Sequence, residues 1–171
     1  GADGLYLCGG YPELHAEALA GNGALRSRIR RALAGGMPCV AECGGFLYLL
    51  ERLEDEAGAV WPMVGALKGD ARRGGGLEHF GYIELTCGAP GLYGDAGVAL
   101  RGHEFHYWRA EFEGDDAVAR KPRRERSWPC LVHTPSLAAG FPHVYYPSNP
   151  EAARAFVRAC DRYRKQGSNE G

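Results

Sequence analysis

The segment Met37-Pro38-Cys39-Val40-Ala41-Glu42-Cys43-Gly44-Gly45-Phe46-Leu47-Tyr48-Leu49-Leu50 constrains this chain more than any other. A short β-type run delivers one cysteine onto a Gly-Gly turn, and an apolar helical pattern follows at once. This is the layout of a nucleophile elbow, with sulfur where G-x-S-x-G carries serine. The two glycines let the chain turn sharply without Cβ clashes. A helix starting after Cys43 places free backbone N–H groups and partial positive charge beside the sulfur, which favours thiolate. The same pattern also fits a buried structural cysteine at a strand end. The local residues alone leave both readings open.

Composition narrows the setting. The 171 residues are 45% hydrophobic and 24% charged, enough for one domain with a real core. A formal net charge of -1 gives no electrostatic reason to expect nucleic acid or an anionic membrane as partner. No apolar run has the length of a membrane span, and no signal-peptide pattern opens the sequence. Cysteines 8, 39, 43, 87, 130 and 160 form no C-x-x-C pair and read as reduced thiols of a cytoplasmic protein. The opening Gly1-Ala2-Asp3-Gly4 lacks an initiator Met and points to a piece of a longer polypeptide. The polar end, 167–171, is expected to fray.

Along the chain, Leu5 to Cys8 reads as a core strand ended by Gly9-Gly10-Tyr11-Pro12. Glu13 to Ala20 has helical spacing. Asn22 caps a second helix through Leu25, Ile29 and Leu33, stopped by Gly35-Gly36. Cys39 to Ala41 is the strand feeding the elbow, with a helix from Gly44 to Leu53 behind it. This alternation predicts an α/β fold with an open, mostly parallel sheet and flanking helices. Met63–Leu67, Gly81–Cys87 and Val98–Tyr107 read as strands of an antiparallel extension. Lys121-Pro122-Arg123-Arg124-Glu125-Arg126 reads as a solvated loop. Leu131–Thr134 and Gly140–Tyr146 return to strand character. Asn149 as N-cap and Pro150 at the first position open a final helix, whose apolar face is Ala152, Ala155, Phe156 and Ala159.

A thiol nucleophile needs a base and donors for the oxyanion. Of six histidines, His15 reads as a surface residue, while His79, in a Gly-rich turn, and His133, in a late strand, suit structural roles. Strand alternation puts His103 and His106 on opposite faces, against a shared metal ion, and no metal site is expected. His143 follows a strand-like segment at the sheet edge where ligands bind in open α/β sheets, the edge that also holds Cys43. By position it is the preferred base, with His106 as rival. The oxyanion donors are expected from the backbone N–H of Gly44 and from the Gly9-Gly10 turn; the glycines also fit a merely tight turn.

Three segments together resemble the C-terminal glutamine amidotransferase domain of the cobyrinate a,c-diamide synthases. Gly4-Leu5-Tyr6-Leu7-Cys8-Gly9-Gly10-Tyr11-Pro12-Glu13 is similar to that family's G-L-Y-L-G-G-G-Y-P-E. Pro38 through Leu49 is similar to its P-x-x-A-E-C-G-G-x-x-Y-L, and Gly102-His103-Glu104-Phe105-His106-Tyr107 to its G-H-E-F-H-Y. The match runs in order over nearly the whole chain.

The resemblance implies a class I glutaminase, flavodoxin-like in fold, over residues 1–166, ahead of the tail 167–171. It implies Cys43 as nucleophile, His143 as the group raising its nucleophilicity, and glutamine as ammonia source. The partner implied is an N-terminal synthetase domain of the same polypeptide, which uses ATP and Mg2+ to activate the a and c carboxylates of a corrinoid acceptor. No cofactor is expected in the present domain. Glu104, His106 and Tyr107 become candidates for glutamine binding or an interdomain face. Three departures from the family pattern stand out. Cys8 replaces a glycine, Tyr145 occupies the position two past the histidine where class I enzymes carry a carboxylate, and the family's first βαβ unit has no counterpart ahead of Gly4. Related readings are the glutaminase domain of nickel sirohydrochlorin a,c-diamide synthase or of cobyric acid synthase, a non-catalytic glutaminase-like binding module, and a thiol hydrolase on a similar fold. G-H-E-F-H-Y favours the a,c-diamide group over the cobyric acid group.

Overall fold

The structure, a computed structural model, describes residues 1–168. Strand β1 (Leu5–Leu7) leads through a 3-10 turn at Pro12–His15 into α1 (Ala16–Gly21) and α2 (Gly23–Ala34). The Asn22 side chain caps α2 by accepting the Leu25 N–H at 3.1 Å. Strand β2 (Cys39–Glu42) then runs into α3 (Gly44–Leu49). Cys39, Val40 and Ala41 are fully enclosed because β2 is packed on both faces. Cys39 and Ala41 meet Phe46 and the residues of α1 to α3, while Val40 faces a second cluster with Ile83, Leu85 and Ala152.

Helix α3 is shorter than the predicted span to Leu53. Leu50 turns to extended backbone at ψ 175, and Arg52–Glu54 form strand β3. The strand β4 (Val60–Pro62) pairs with β3 on one side, and β5 (Asp70–Arg73) on the other. The Arg52 guanidinium fixes this register with an ion pair to Asp70 at 2.7 Å. The predicted strand Met63–Leu67 is instead a loop under α3. The N–H groups of Val64, Gly65, Ala66 and Leu67 donate to carbonyls of Tyr48, Leu50 and Leu49, and so satisfy the helix's C-terminal acceptors.

Strands β6 (His79–Cys87) and β7 (Ala99–His106) form a long hairpin. The strand β8 (Trp108–Ala110) pairs with β5; β9 (Ala117–Arg120) and β10 (Ser127–Cys130) extend the hairpin sheet beyond β6. His79, expected in a turn, opens β6 and stacks on Trp128 with ring centroids 4.1 Å apart. The short β11 (Val132–His133) precedes β12 (Leu137–Gly140) and β13 (His143–Tyr145). His133 Nε2 accepts the Tyr93 N–H at 3.0 Å, a structural role. Gly140–Tyr146, predicted as one strand, is thus two strands in different sheets, separated by Phe141 and Pro142. Proline removes a ladder donor where the chain leaves the first sheet.

The site-bearing sheet has the order β1-β2-β12-β11, parallel except for β11. A five-stranded antiparallel sheet, β10-β9-β6-β7-β13, lies beside it, and β4-β3-β5-β8 forms the third. The final helix α4 (Pro150–Ser168) starts at Pro150 as expected. The Asn149 side-chain amide is drawn to the Ala99 carbonyl at 3.1 Å, tying the helix start to β7. Ala152 and Ala159 are buried, with Phe156 packed beside them. The helix includes Gly167 and Ser168 of the expected tail; 169–171 lie outside the described residues.

Candidate active site

Cys43 is the residue between β2 and α3, at φ 48 and ψ -107. A side chain at positive φ in this region is strained, and such strain concentrates at functional positions. Close neighbours hold it there. The Cys43 N–H donates to the Gly140 carbonyl at 2.8 Å, and its own carbonyl accepts the Leu47 N–H at 3.0 Å. The thiol points toward the Phe105 carbonyl, with sulfur 3.9 Å from the oxygen.

The glycines of the motifs serve close approach. A Cβ on Gly44 would lie 2.4 Å from the Gly10 carbonyl oxygen, and one on Gly45 would lie 2.3 Å from the Leu7 carbonyl oxygen. The Gly9-Gly10 turn is therefore pressed against the elbow. A Cβ on Gly9 would stand 2.3 Å from Cε1 of His143, so the imidazole meets that backbone with its Cε1 edge. Gly102 does the same for β13: its Cβ would strike the His143 carbonyl oxygen at 2.5 Å. Cys43, Gly9, Gly10, Gly44 and His143 thus gather around one spot at the carboxyl ends of β1, β2 and β12.

His143 lies three residues past the end of β12 and directly opposite His103 in the β13–β7 ladder. Burial, followed by the neighbouring His103, pulls its pKa below the ordinary histidine value, so the imidazole is neutral and able to accept a proton. The thiol behaves oppositely to the sequence expectation. Burial pushes Cys43 up to about 11, and the Gly44 N–H hydrogen bond only partly offsets that, with Glu13, Glu104 and Glu42 adding to the rise. The six-residue α3 does not outweigh desolvation. The resting pair is thiol and neutral imidazole.

The other candidates divide. Glu104 and His106 are buried behind the elbow: His106 Nδ1 lies 2.7 Å from the Trp108 carbonyl oxygen, its Nε2 lies 3.5 Å from Glu104 Oε1, and Trp128 Nε1 donates to Glu104 at 3.1 Å. Tyr107 lies at the surface, edge-on to Phe105. Phe141 binds these parts together, edge-on to Phe46 of α3 at 5.2 Å and stacked on His106 at 3.6 Å. A groove of about 730 Å³ opens beside His143 over the antiparallel sheet, between Tyr82, His103 and Tyr145. Sequence reasoning did not assign Glu42 or His103 to the site; their placement depends on pairing between distant strands. Among the described residues, no group of three or more His, Cys, Asp or Glu converges to hold a metal ion, and no helix is long and apolar enough to cross a membrane.

Residues 1–138 match the model of the CobB/CobQ-like glutamine amidotransferase domain. The chain belongs to this family. The matched span contains Cys43 and the segment Gly102–Tyr107 of this amidotransferase domain, while His143 lies just beyond it. The domain is 33% identical over 169 residues to the cobyrinate a,c-diamide synthase of Caldanaerobacter subterraneus subsp. tengcongensis, covering 97% of this chain and 37% of that protein. It is 39% identical over 159 residues to the hydrogenobyrinate a,c-diamide synthase of Stutzerimonas stutzeri, covering 91% and 35%. The amidotransferase domain therefore spans little more than a third of the length of these relatives. Among solved structures, a glutamine amidotransferase superposes with a TM-score of 0.61 at 18% identity, over 93% of this chain and 79% of that one. The PurLQS structure from Thermotoga maritima gives 0.57 at 18%, over the same shares. These two likenesses establish the α/β amidotransferase fold.

Proposed function

We propose that this domain hydrolyses glutamine through a Cys43 thioester and supplies the ammonia for ATP-dependent amidation of the a and c carboxylates of cobyrinate or hydrogenobyrinate, a step of cobalamin biosynthesis. The observation that carries the reading is the convergence of Cys43, His143 and the Gly9-Gly10 turn, each from a separate segment, around a strained elbow. The names of the relatives support the acceptor assignment. In this reading ATP and Mg2+ act in the part of such synthases that lies outside the present domain, and glutamine and the corrinoid are the two substrates.

The chemistry follows from the resting pair. As sulfur attacks the side-chain amide carbon, the thiol proton passes to neutral His143. The negative charge that develops on the amide oxygen is met by the backbone N–H of Gly44 and by the Gly9-Gly10 turn. His143 returns the proton to the departing nitrogen, which leaves as ammonia, and a thioester remains on Cys43. Water, deprotonated by His143, attacks the thioester; glutamate leaves and the thiol is restored. Because the thiol starts protonated, the base is needed in the first step and in the last.

The test is labelling with diazo-oxo-norleucine, a glutamine-analogue electrophile, followed by peptide mass mapping. An adduct on Cys43, suppressed by excess glutamine and by His143→Ala, is the expected result. An adduct that glutamine does not suppress would leave a reactive thiol and remove the glutaminase reading.

A further inference from the structure

Glu42 is a buried carboxylate, 6% exposed, that the steps above do not use. It stands immediately before the nucleophile, at the end of β2, paired in register with Gly140 of β12. The chain after Gly140 folds around it. Its Oε1 accepts the Val144 N–H at 3.2 Å, its Oε2 lies 3.9 Å from His143 Nδ1, and the Tyr6 hydroxyl of β1 donates to it. Burial raises the Glu42 pKa above the ordinary carboxylate value, and the Val144 and Tyr6 hydrogen bonds offset that only in part. The position where class I enzymes carry their carboxylate holds Tyr145, 60% exposed.

We infer that Glu42 is a positioning residue for His143: its carboxylate faces Nδ1, keeps a proton there, and leaves Nε2 free for the Cys43 thiol. The inference rests on the glutaminase reading of the Cys43–His143 pair. A base that must take a proton and return it is more effective when a third group fixes its tautomer and steadies the imidazolium. Here the ring is held from two sides, by the Gly9 backbone and by Glu42. A separation of 3.9 Å is too long for a hydrogen bond. It is short enough for strong attraction once the imidazolium forms, and catalytic contacts of this kind tighten in the reacting complex. The third group thus comes from the strand that carries the nucleophile, not from the strand that carries the base. One Glu-Cys dipeptide supplies two members of the constellation. Tyr6, from the first motif, is explained by the same contact.

The groups that face Glu42 are His143, Tyr6 and, at longer range, Cys43, Tyr93 and Tyr146; those around His143 are His103, His106 and Glu104. The experiment follows the His143 imidazole nitrogens by 15N NMR in the wild-type chain and in Glu42→Gln. That substitution preserves size and one acceptor oxygen, enough for the Val144 N–H, while removing the charge. In the wild type, neutral His143 carries its proton on Nδ1. In Glu42→Gln the tautomer preference weakens, and the imidazole titration midpoint falls by about one pH unit as the stabilising charge is lost. Glutamate release shows a kcat lowered about tenfold to a hundredfold at a KM within about twofold, with partial recovery in Glu42→Asp. An unchanged midpoint and tautomer in folded Glu42→Gln overturn the inference, even if activity falls. If the NMR changes appear but diazo-oxo-norleucine labelling of wild-type Cys43 is indifferent to glutamine, the contact stands and the glutaminase reading fails instead.

Discussion

Replacing Gly9 by alanine tests the packing of the site with a large effect on activity and a small one on stability. The added Cβ lies 2.3 Å from His143 Cε1, against an ordinary carbon–carbon contact of about 3.5 Å, so the ring must retreat by about 1.2 Å. A displacement of about 1 Å in a reacting group costs on the order of a hundredfold in rate, about 2.7 kcal/mol of barrier. The backbone has no objection. Gly9 is exposed and lies outside the left-handed region, so alanine there also restricts the unfolded chain, a gain of about 0.4–1 kcal/mol that offsets part of the cost of displacing the ring. The expected outcome of Gly9→Ala is therefore a roughly hundredfold slower labelling of Cys43 by diazo-oxo-norleucine, with a Tm within a few degrees of the wild type. Mass mapping over a time course and a thermal melt measure both. Labelling at the wild-type rate would refute the claim that His143 works from its position against Gly9.

Three further outcomes follow from the same geometry. With the thiol pushed up to about 11, iodoacetamide alkylation of Cys43 is expected to quicken about tenfold per pH unit from pH 7 to 9; a plateau near neutral pH would instead reveal a thiolate–imidazolium pair. Phe141→Ala removes a ring that is 1% exposed and joins Phe46 to His106, and is expected to lower unfolding free energy in urea by about 3–5 kcal/mol; a loss under 1 kcal/mol contradicts that role. Cys43→Gly relieves the positive-φ strain, and is expected to be about 1 kcal/mol more stable than Cys43→Ala in the same titration. Equal stabilities would mean that the elbow relaxes when the sulfur is absent.

The elbow was legible because its chemistry is local. A strand, a cysteine, two glycines and an apolar run are contiguous, and each constrains its neighbours. Asn22 and Pro150 are readable for the same reason, since caps and first-turn prolines act within a few residues. Three features escaped the sequence because their causes are distant. Helix α3 stops at Leu49 because Val60–Pro62 and Asp70–Arg73 capture the next residues as a strand, and apolar spacing alone does not separate a buried helix from a buried strand. The segment 140–146 reads as one strand, yet Phe141 and Pro142 divide it between two sheets. The thiol's high pKa is also a property of assembled surroundings: a helix start is visible in sequence, whereas the burial that outweighs it is not. Glu42 adjoins Cys43 in sequence, but its facing of His143 depends on a pairing across about a hundred residues of chain.

Cys43 and His143, the proposed nucleophile and base, lie at the ends of different sheets. Cys43 directly follows a strand of the mostly parallel sheet, His143 begins a strand of the antiparallel one, and only Phe141 and Pro142 connect β12 to β13. So short a connection has almost no slack. Any tilt of one sheet against the other is read directly as a change in the separation of sulfur and imidazole, without a flexible loop to absorb it. The antiparallel sheet also carries Tyr82 and Tyr145 on its exposed side, beside the groove. A molecule seated in that groove would therefore rest on the sheet that carries the imidazole.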